Sequence, residues 1–177
     1  MPTFFAPARR SHIEICRSRY SLLIRIGATI VKTPHEFESQ KLIRFQHCDP
    51  AGIVFYPQYF VLFHELIEDW FNDGLDVNYA DLIAVQRLGV PTVRIECDFV
   101  APSTIGDMLQ LRLAVRRIGT SSVALTLTAF SNSELRVRIE QVIVLFSLER
   151  RVPVKIVDDL RRQIERFRIP EQEKLSS

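Results

Sequence analysis

Asp49 is followed by Pro50, Ala51 and Gly52, and seven positions after the aspartate Tyr56-Pro57 opens a run of apolar residues at helical spacing. This order sets a carboxylate on a turn directly ahead of a helix N-terminus. The first N–H groups of a helix lack intrahelical partners and lie at the positive end of its dipole, so they favour negative charge on an oxygen. A carboxylate across a glycine turn from such an end can attack a carbonyl carbon or take a proton from water. Gly52 would let the backbone come close to a ligand. No serine or cysteine nucleophile has a comparable setting. Taken as an isolated pair, Asp-Pro before a helix is more often a turn former or a cap, and on residue types alone that alternative stays open.

The neighbours offer further chemistry, each with a plainer reading beside it. His47, two residues from Asp49, is a candidate acid or base, or a partly exposed histidine at a strand end. Cys48 would point away from Asp49 along an extended chain and reads as a core residue. His64 and Glu65 fall on the polar side of the helix, where one of them can reach a pocket or simply face solvent. Phe55, Tyr56, Tyr59, Phe60 and Phe63 supply flat aromatic surface near the turn. It suits an aryl group by stacking, or serves as ordinary core. Arg116 and Arg117 precede a Gly119-Thr120 turn, where guanidinium groups could meet phosphate or decorate a strand end.

The elements that must position these residues follow from periodicity. Residues 35–45 alternate weakly, with Phe37, Ile43 and Phe45 on one face of a first strand. Tyr59, Phe60, Leu62, Phe63, Leu66, Ile67, Trp70 and Phe71 make one side of a long helix between Pro57 and Gly74. A shorter helix is expected over about 79–88, with Asn78 as cap and Gly89 as stop. The period then becomes two. Val93, Ile95, Cys97 and Phe99 share a face, as do Leu109, Leu111, Leu113 and Val115, and then Val123, Leu125 and Leu127. A strand over 135–148 ends in the continuous run Val142 to Phe146, expected to be buried on both faces. Val157, Leu160, Ile164 and Phe167 give a terminal amphipathic helix. A bulky aromatic helix needs a large apolar cover, so the expected class is α+β, one antiparallel sheet laid over the long helix.

The totals exclude several classes. A chain of 177 residues, 47% apolar and 25% charged, suggests one globular domain. A net charge of +2 gives no case for nucleic acid. Three cysteines, Cys16, Cys48 and Cys97, form neither a disulfide framework nor a metal-binding pattern, so a reducing cytoplasm is expected, without metal or redox cofactor. No apolar run approaches the ~20 residues that span a bilayer, and the run Leu22 to Val31 is interrupted by Arg25. Residues 1–34 read as an extension of unclear role. They are arginine-rich, and a targeting segment is the alternative. Residues 35–170 read as a single domain and 171–177 as a polar tail.

The segment FQHCDPAGIVFYPQY, residues 45–59, resembles the active-site motif of the 4-hydroxybenzoyl-CoA thioesterase family. A weaker likeness extends over about 36–168 and includes Phe99-Val100-Ala101-Pro102 with Gly106-Asp107. The resemblance implies a hotdog fold, a five-stranded antiparallel sheet wrapped round a long central helix. It implies homodimers joined edge to edge, often paired again into homotetramers, with the active site between subunits. It also implies acyl-CoA as substrate, an aroyl- or short acyl-CoA hydrolysed to free acid and CoA. Asp49 would be nucleophile or general base, Gly52 would shape its turn, and the Tyr56 backbone N–H would polarise the thioester carbonyl. Phe55, Tyr59, Glu65, Arg116 and Arg117 would contact the substrate. The chain departs from the family where Gly119-Thr120-Ser121 replaces a basic cluster, which leaves the nucleotide contacts open. The alternatives are a hotdog enoyl-CoA hydratase and a non-catalytic acyl-CoA-binding module.

Overall fold

The computed structural model describes residues 35–170; the expectations for residues 1–34 and 171–177 lie outside the described residues. Within them runs the order β1 (Phe37–Leu42), a 3-10 turn (Phe45–His47), α1 (Pro57–Asp69), a π-helical turn (Trp70–Gly74), α2 (Tyr79–Ala84), β2 (Leu88–Gly89), β3 (Thr92–Phe99), β4 (Met108–Ile118), β5 (Ser122–Ser131), β6 (Glu134–Val144), β7 (Phe146–Ser147), β8 (Val152–Pro153) and α3 (Asp158–Glu165). Five strands form one antiparallel sheet in the order β1-β4-β5-β6-β3, and β2-β7-β8 form a small second one. The long helix lies against the large sheet, which is the hotdog arrangement.

The apolar stripes explain the packing. Tyr59, Leu62, Phe63, Leu66 and Ile67 of α1 are buried, and Trp70 and Phe71 continue the stripe into the π-helical turn. Opposite them, Leu109, Leu111, Leu113 and Val115 of β4, Leu125 and Leu127 of β5, and Val137 and Ile139 of β6 are fully buried. Each such leucine contributes on the order of 1.5–3 kcal/mol by leaving water. Gly74 ends the stripe for a steric reason. A Cβ there would stand 2.7 Å from Trp70 Cδ1 and 3.2 Å from the rings of Phe167 and Phe37. Only glycine lets Trp70 seat edge-on against Phe167 at 5.9 Å.

Three expectations about elements are corrected. Phe45 does not continue the buried face of the first strand. That strand ends at Leu42, the chain turns, Ile43 goes into the core, and Phe45 is 84% exposed. The second helix stops at Ala84, and Gly89 belongs to a strand paired with Phe146 rather than acting as a helix stop. The run Val142 to Phe146 is not the doubly buried end of one strand. Pairing with the large sheet ends at Val144, and Phe146 enters the small sheet against Gly89 and Pro153. Continuous apolarity there reflects two successive environments, not one strand covered on both sides.

Candidate active site

The segment before α1 folds as a tight hairpin. Gly52 N–H donates to Asp49 O at 2.9 Å, Asp49 N–H donates to Ile53 O at 3.0 Å, and Cys48 bridges Val54 across the base. Gly52 has φ +78°, a left-handed value that an L side chain rarely adopts, and the space around it is open. Its role is thus to permit the turn, which also leaves room beside it. Ala51 N–H donates to Asp49 Oδ1 at 2.8 Å. One carboxylate oxygen therefore acts as the turn's own acceptor.

Tyr56 caps α1 in helical conformation, with Pro57 in the first turn. Among the described residues no acceptor takes the Tyr56 N–H, whereas the flanking Phe55 and Gln58 N–H groups donate to His47 O at 2.9 Å and Phe55 O at 2.8 Å. A free donor at the positive end of a 13-residue helix thus follows the carboxylate turn in the chain.

The surface beside it is aromatic. Phe55 and Tyr56 are about half exposed, with ring centroids 5.4 Å apart. Phe99, at the end of β3, stands 6.2 Å from Tyr56, 6.0 Å from Tyr59 and 6.4 Å from Phe60, and half of it remains in solvent. Phe99 is the centre of this group, and sequence reading did not single it out as a site residue. The available signal was its place in Phe99-Val100-Ala101-Pro102 at the end of an alternating strand. Tyr59 is only 3% exposed. Burial pushes its hydroxyl pKa upward, against the opposing influence of nearby Ser103 and Arg136. It backs the aromatic group from beneath rather than facing outward.

Glu65 lies on the other flank of α1. Its carboxylate pairs with Lys41 Nζ at 3.0 Å, and Asp69 is 3.5 Å from the same nitrogen. Burial works against the Lys41 charge, but the two carboxylates outweigh it and hold the ammonium above the ordinary lysine pKa. Glu65 and His47 line one recess of about 500 Å³ with Lys41, Arg44, Leu62 and Met108. His47 Nδ1 accepts the Arg44 N–H at 3.0 Å, so that nitrogen is committed to the 3-10 turn. His64 instead pairs with Glu68 at 3.1 Å along the helix.

Arg116 and Arg117 are not brought to this group within the chain. They lie on the outer face of the large sheet, away from α1, in a recess of about 1470 Å³ that contains no residue of the Asp49 turn. Arg116 Nη1 is held by Glu140 at 3.0 Å. The β4 bulge between Val115 and Arg117 sets Arg117 beside Ala124 near the Gly119 hairpin. The same hairpin receives a second segment, because Leu145 N–H donates to Ser121 O and Ile156 N–H donates to Thr120 O. That segment carries Arg150, Arg151 and Lys155, which are exposed and have no acidic partner among the described residues.

Among the described residues no group of histidine, cysteine and acidic side chains could hold a metal ion, and no helix is long and apolar enough to cross a membrane.

Comparison with known proteins fits this architecture. Residues 43–164 match the family model described as the thioesterase-like superfamily. A 1,4-dihydroxy-2-naphthoyl-CoA hydrolase of Nostoc punctiforme is 28% identical over 90 residues, 51% of this chain and 60% of the relative. The chain thus spans less than two thirds of that protein's length. A hydrolase of the same name from Thermosynechococcus vestitus is 30% identical over 102 residues, 58% of this chain and 69% of the relative. The crystal structure of a 1,4-dihydroxy-2-naphthoyl-CoA thioesterase from Synechocystis superposes with a TM-score of 0.67 at 21% identity, covering 73% of this chain and 95% of that one.

Proposed function

The chain belongs to the thioesterase-like superfamily, and from that premise we propose that it hydrolyses the thioester of an aroyl- or short acyl-coenzyme A to the free acid and CoA. The observation that carries this reading is the unpaired Tyr56 N–H at the start of α1, reached from the Asp49 carboxylate through the Gly52 hairpin. Attack on a thioester carbonyl moves charge onto its oxygen, and a fixed N–H donor stabilises that charge by roughly 3–4 kcal/mol. Asp49 supplies the other half. As nucleophile, its oxygen bonds to the acyl carbon, CoA leaves as thiolate, and water then opens the mixed anhydride. As general base, it takes a proton from water as the water attacks, and that proton passes to the departing thiolate. No cofactor enters either route.

The aromatic group favours a flat acyl chain. Phe55, Tyr56 and Phe99 offer half-exposed rings for stacking. The curated relatives are named for a dihydroxynaphthoyl thioester rather than a hydroxybenzoyl one, so both belong among the substrates to test. For the CoA phosphates, Arg150, Arg151 and Lys155 around the Gly119 hairpin join Arg117 and Arg116, the last of which is shared with Glu140.

A homodimer completes the site. β3 is an edge strand whose residues are exposed except Cys97, and its last residue, Phe99, touches Tyr56. Pairing β3 with its symmetry mate would bring a second chain beside the aromatic group. The free thiols of Cys48 and Cys97 suit a reducing cytoplasm.

One observation favours a second reading, an acyl-CoA-binding module without turnover: Asp49 Oδ1 is already used by the Ala51 N–H. Asp49→Asn separates the two readings, because the amide oxygen can still accept that N–H and keep the turn. Wild type and variant are assayed for thiol release from 1,4-dihydroxy-2-naphthoyl-CoA, 4-hydroxybenzoyl-CoA, benzoyl-CoA and acetyl-CoA. Turnover that falls roughly 10²- to 10⁴-fold in the variant, with unchanged thermal stability, supports the hydrolase. Equal rates at background, with measurable CoA-thioester binding, would establish the binding module.

A further inference from the structure

We propose that Arg136 is a positioning residue for the Asp49 turn, an inference that rests on the hydrolase reading and deepens it. Arg136 lies early in β6, far from Asp49 in sequence, and its side chain is only 15% exposed. Its Nη1 donates to Pro102 O at 2.8 Å, and its own carbonyl accepts the Val100 and Ala101 N–H groups at 2.8 and 3.1 Å. One residue thus makes three hydrogen bonds to residues 100–102. The next two positions of that loop hold the catalytic hairpin. Ser103 O accepts the Val54 N–H at 2.8 Å, Thr104 bridges Ile53, and Ile53 O accepts the Asp49 N–H at 3.0 Å. The path from guanidinium to Asp49 is therefore continuous and made of directional bonds.

Stability alone does not account for an arginine at this place. Its Nη1 also pairs with the exposed carboxylate of Glu134 at 3.0 Å, but among the described residues its Nε is buried without a partner, as are Ser103 Oγ and the hydroxyl of Tyr59. Burying incompletely paired charge is costly, and an apolar side chain of similar length often serves the fold as well. What methionine or leucine cannot do is donate to Pro102 O. The guanidinium fixes where the loop sits, and the loop fixes where Asp49 stands relative to the Tyr56 N–H. Displacement of a reacting group by about an ångström costs up to a hundredfold in rate.

The test uses the full chain with Arg136→Met and Arg136→Lys. It measures steady-state kinetics on the aroyl-CoA that wild type hydrolyses fastest, melting temperature, and amide exchange of the peptide spanning residues 49–55. Arg136→Met is expected to lower kcat between roughly ten- and hundredfold with KM within about twofold, and to speed exchange in that peptide, while melting stays close to wild type. Arg136→Lys, whose ammonium can still donate to Pro102 O, is expected to recover most of kcat and of the exchange protection. Wild-type kcat and wild-type exchange in the methionine variant would overturn the proposal. So would a lysine variant no better than methionine, with both melting far below wild type, since the loss would then follow fold stability. If wild type hydrolyses no thioester, the hydrolase reading fails by itself, and unchanged exchange in the 49–55 peptide still decides against Arg136 as its bolt.

Discussion

The two edges of the large sheet are built by opposite rules. Along β1, the inward-facing residues are tied down. Phe37 packs edge-on against Phe167 at 6.3 Å, Ser39 Oγ donates to Asp69, and Lys41 pairs with Glu65 and Asp69. On the outward side Arg112 of the neighbouring strand holds Glu36 and Glu38. Along β3, every residue except Cys97 is exposed, including Val93, Ile95 and Phe99. An exposed eight-residue edge strand that alternates Val93, Ile95 and Phe99 with charged residues is a template for another chain, whereas an edge whose side chains are packed and paired within the fold resists one. The difference teaches where the molecule expects company. The open edge touches the aromatic group beside the Tyr56 N–H, through Phe99 and Tyr56, so assembly and that group meet on one side of the sheet.

The sharpest way to break this contrast is to place the same charge on each edge. Ile95→Lys on β3 is expected to yield a monomer in sedimentation velocity and to lower thioester turnover by about a hundredfold or more, because positioning by the second chain is lost. Gln40→Lys on β1 should leave both mass and turnover as they are. A fully active Ile95→Lys dimer would end the argument that β3 is the paired edge.

A smaller effect is expected where edge and site touch. Phe99→Ala removes the ring that joins Tyr56, Tyr59 and Phe60. Aromatic pairs are worth about 0.5–1.5 kcal/mol beyond the area they bury, so KM for an aroyl-CoA should rise roughly three- to tenfold. Acetyl-CoA, with no ring to stack, should show little change in KM. Equal losses on both substrates would mean that Phe99 supports the fold and does not face the acyl group.

How much of this was legible beforehand follows from the range of each contact. The α1 stripe and the period-two runs of β4 to β6 record local geometry against one core, so the sheet and its helix could be read directly, whereas the same alternation in β3 faces solvent within the chain. The Asp49-Pro50-Ala51-Gly52 hairpin was also legible, since its turn chemistry lies within four residues. Three features were not. Phe45 keeps the alternation of β1 in sequence, but the chain leaves the strand before reaching it. Phe99 becomes the aromatic centre only because β3 ends over the start of α1. Arg136 looks like any charged residue of an alternating strand, and its burial depends on Pro102, thirty-four residues away. Period and spacing carry no record of such distant partners. Arg116 and Arg117 show the same limit: their types suited phosphate, but spacing did not reveal that β4 sets them on the outer face, where Arg116 meets Glu140.

The smallest expected effect belongs to the tied edge and tests whether its charges matter. Lys41 is held above the ordinary lysine value of 10.5 because Glu65 and Asp69 outweigh the cost of its partial burial. A raised folded pKa favours the protonated native state. The stabilisation is therefore complete below the unfolded pKa and is lost as pH rises through the folded one. The pairs are partly exposed, and pairs of this kind contribute only about 0.2–1 kcal/mol. Lys41→Met should thus lower the melting temperature by about 1–3 °C near pH 8. The gap between wild type and variant should close as the pH climbs past the ordinary lysine value, because wild type then loses what the variant never had. Tyrosines and cysteines that titrate in the same range are common to both proteins and cancel in the difference. A gap that stays constant into the alkaline range would assign the loss to the packing of the lysine stem, and β1 would then be held closed by apolar contact rather than by charge.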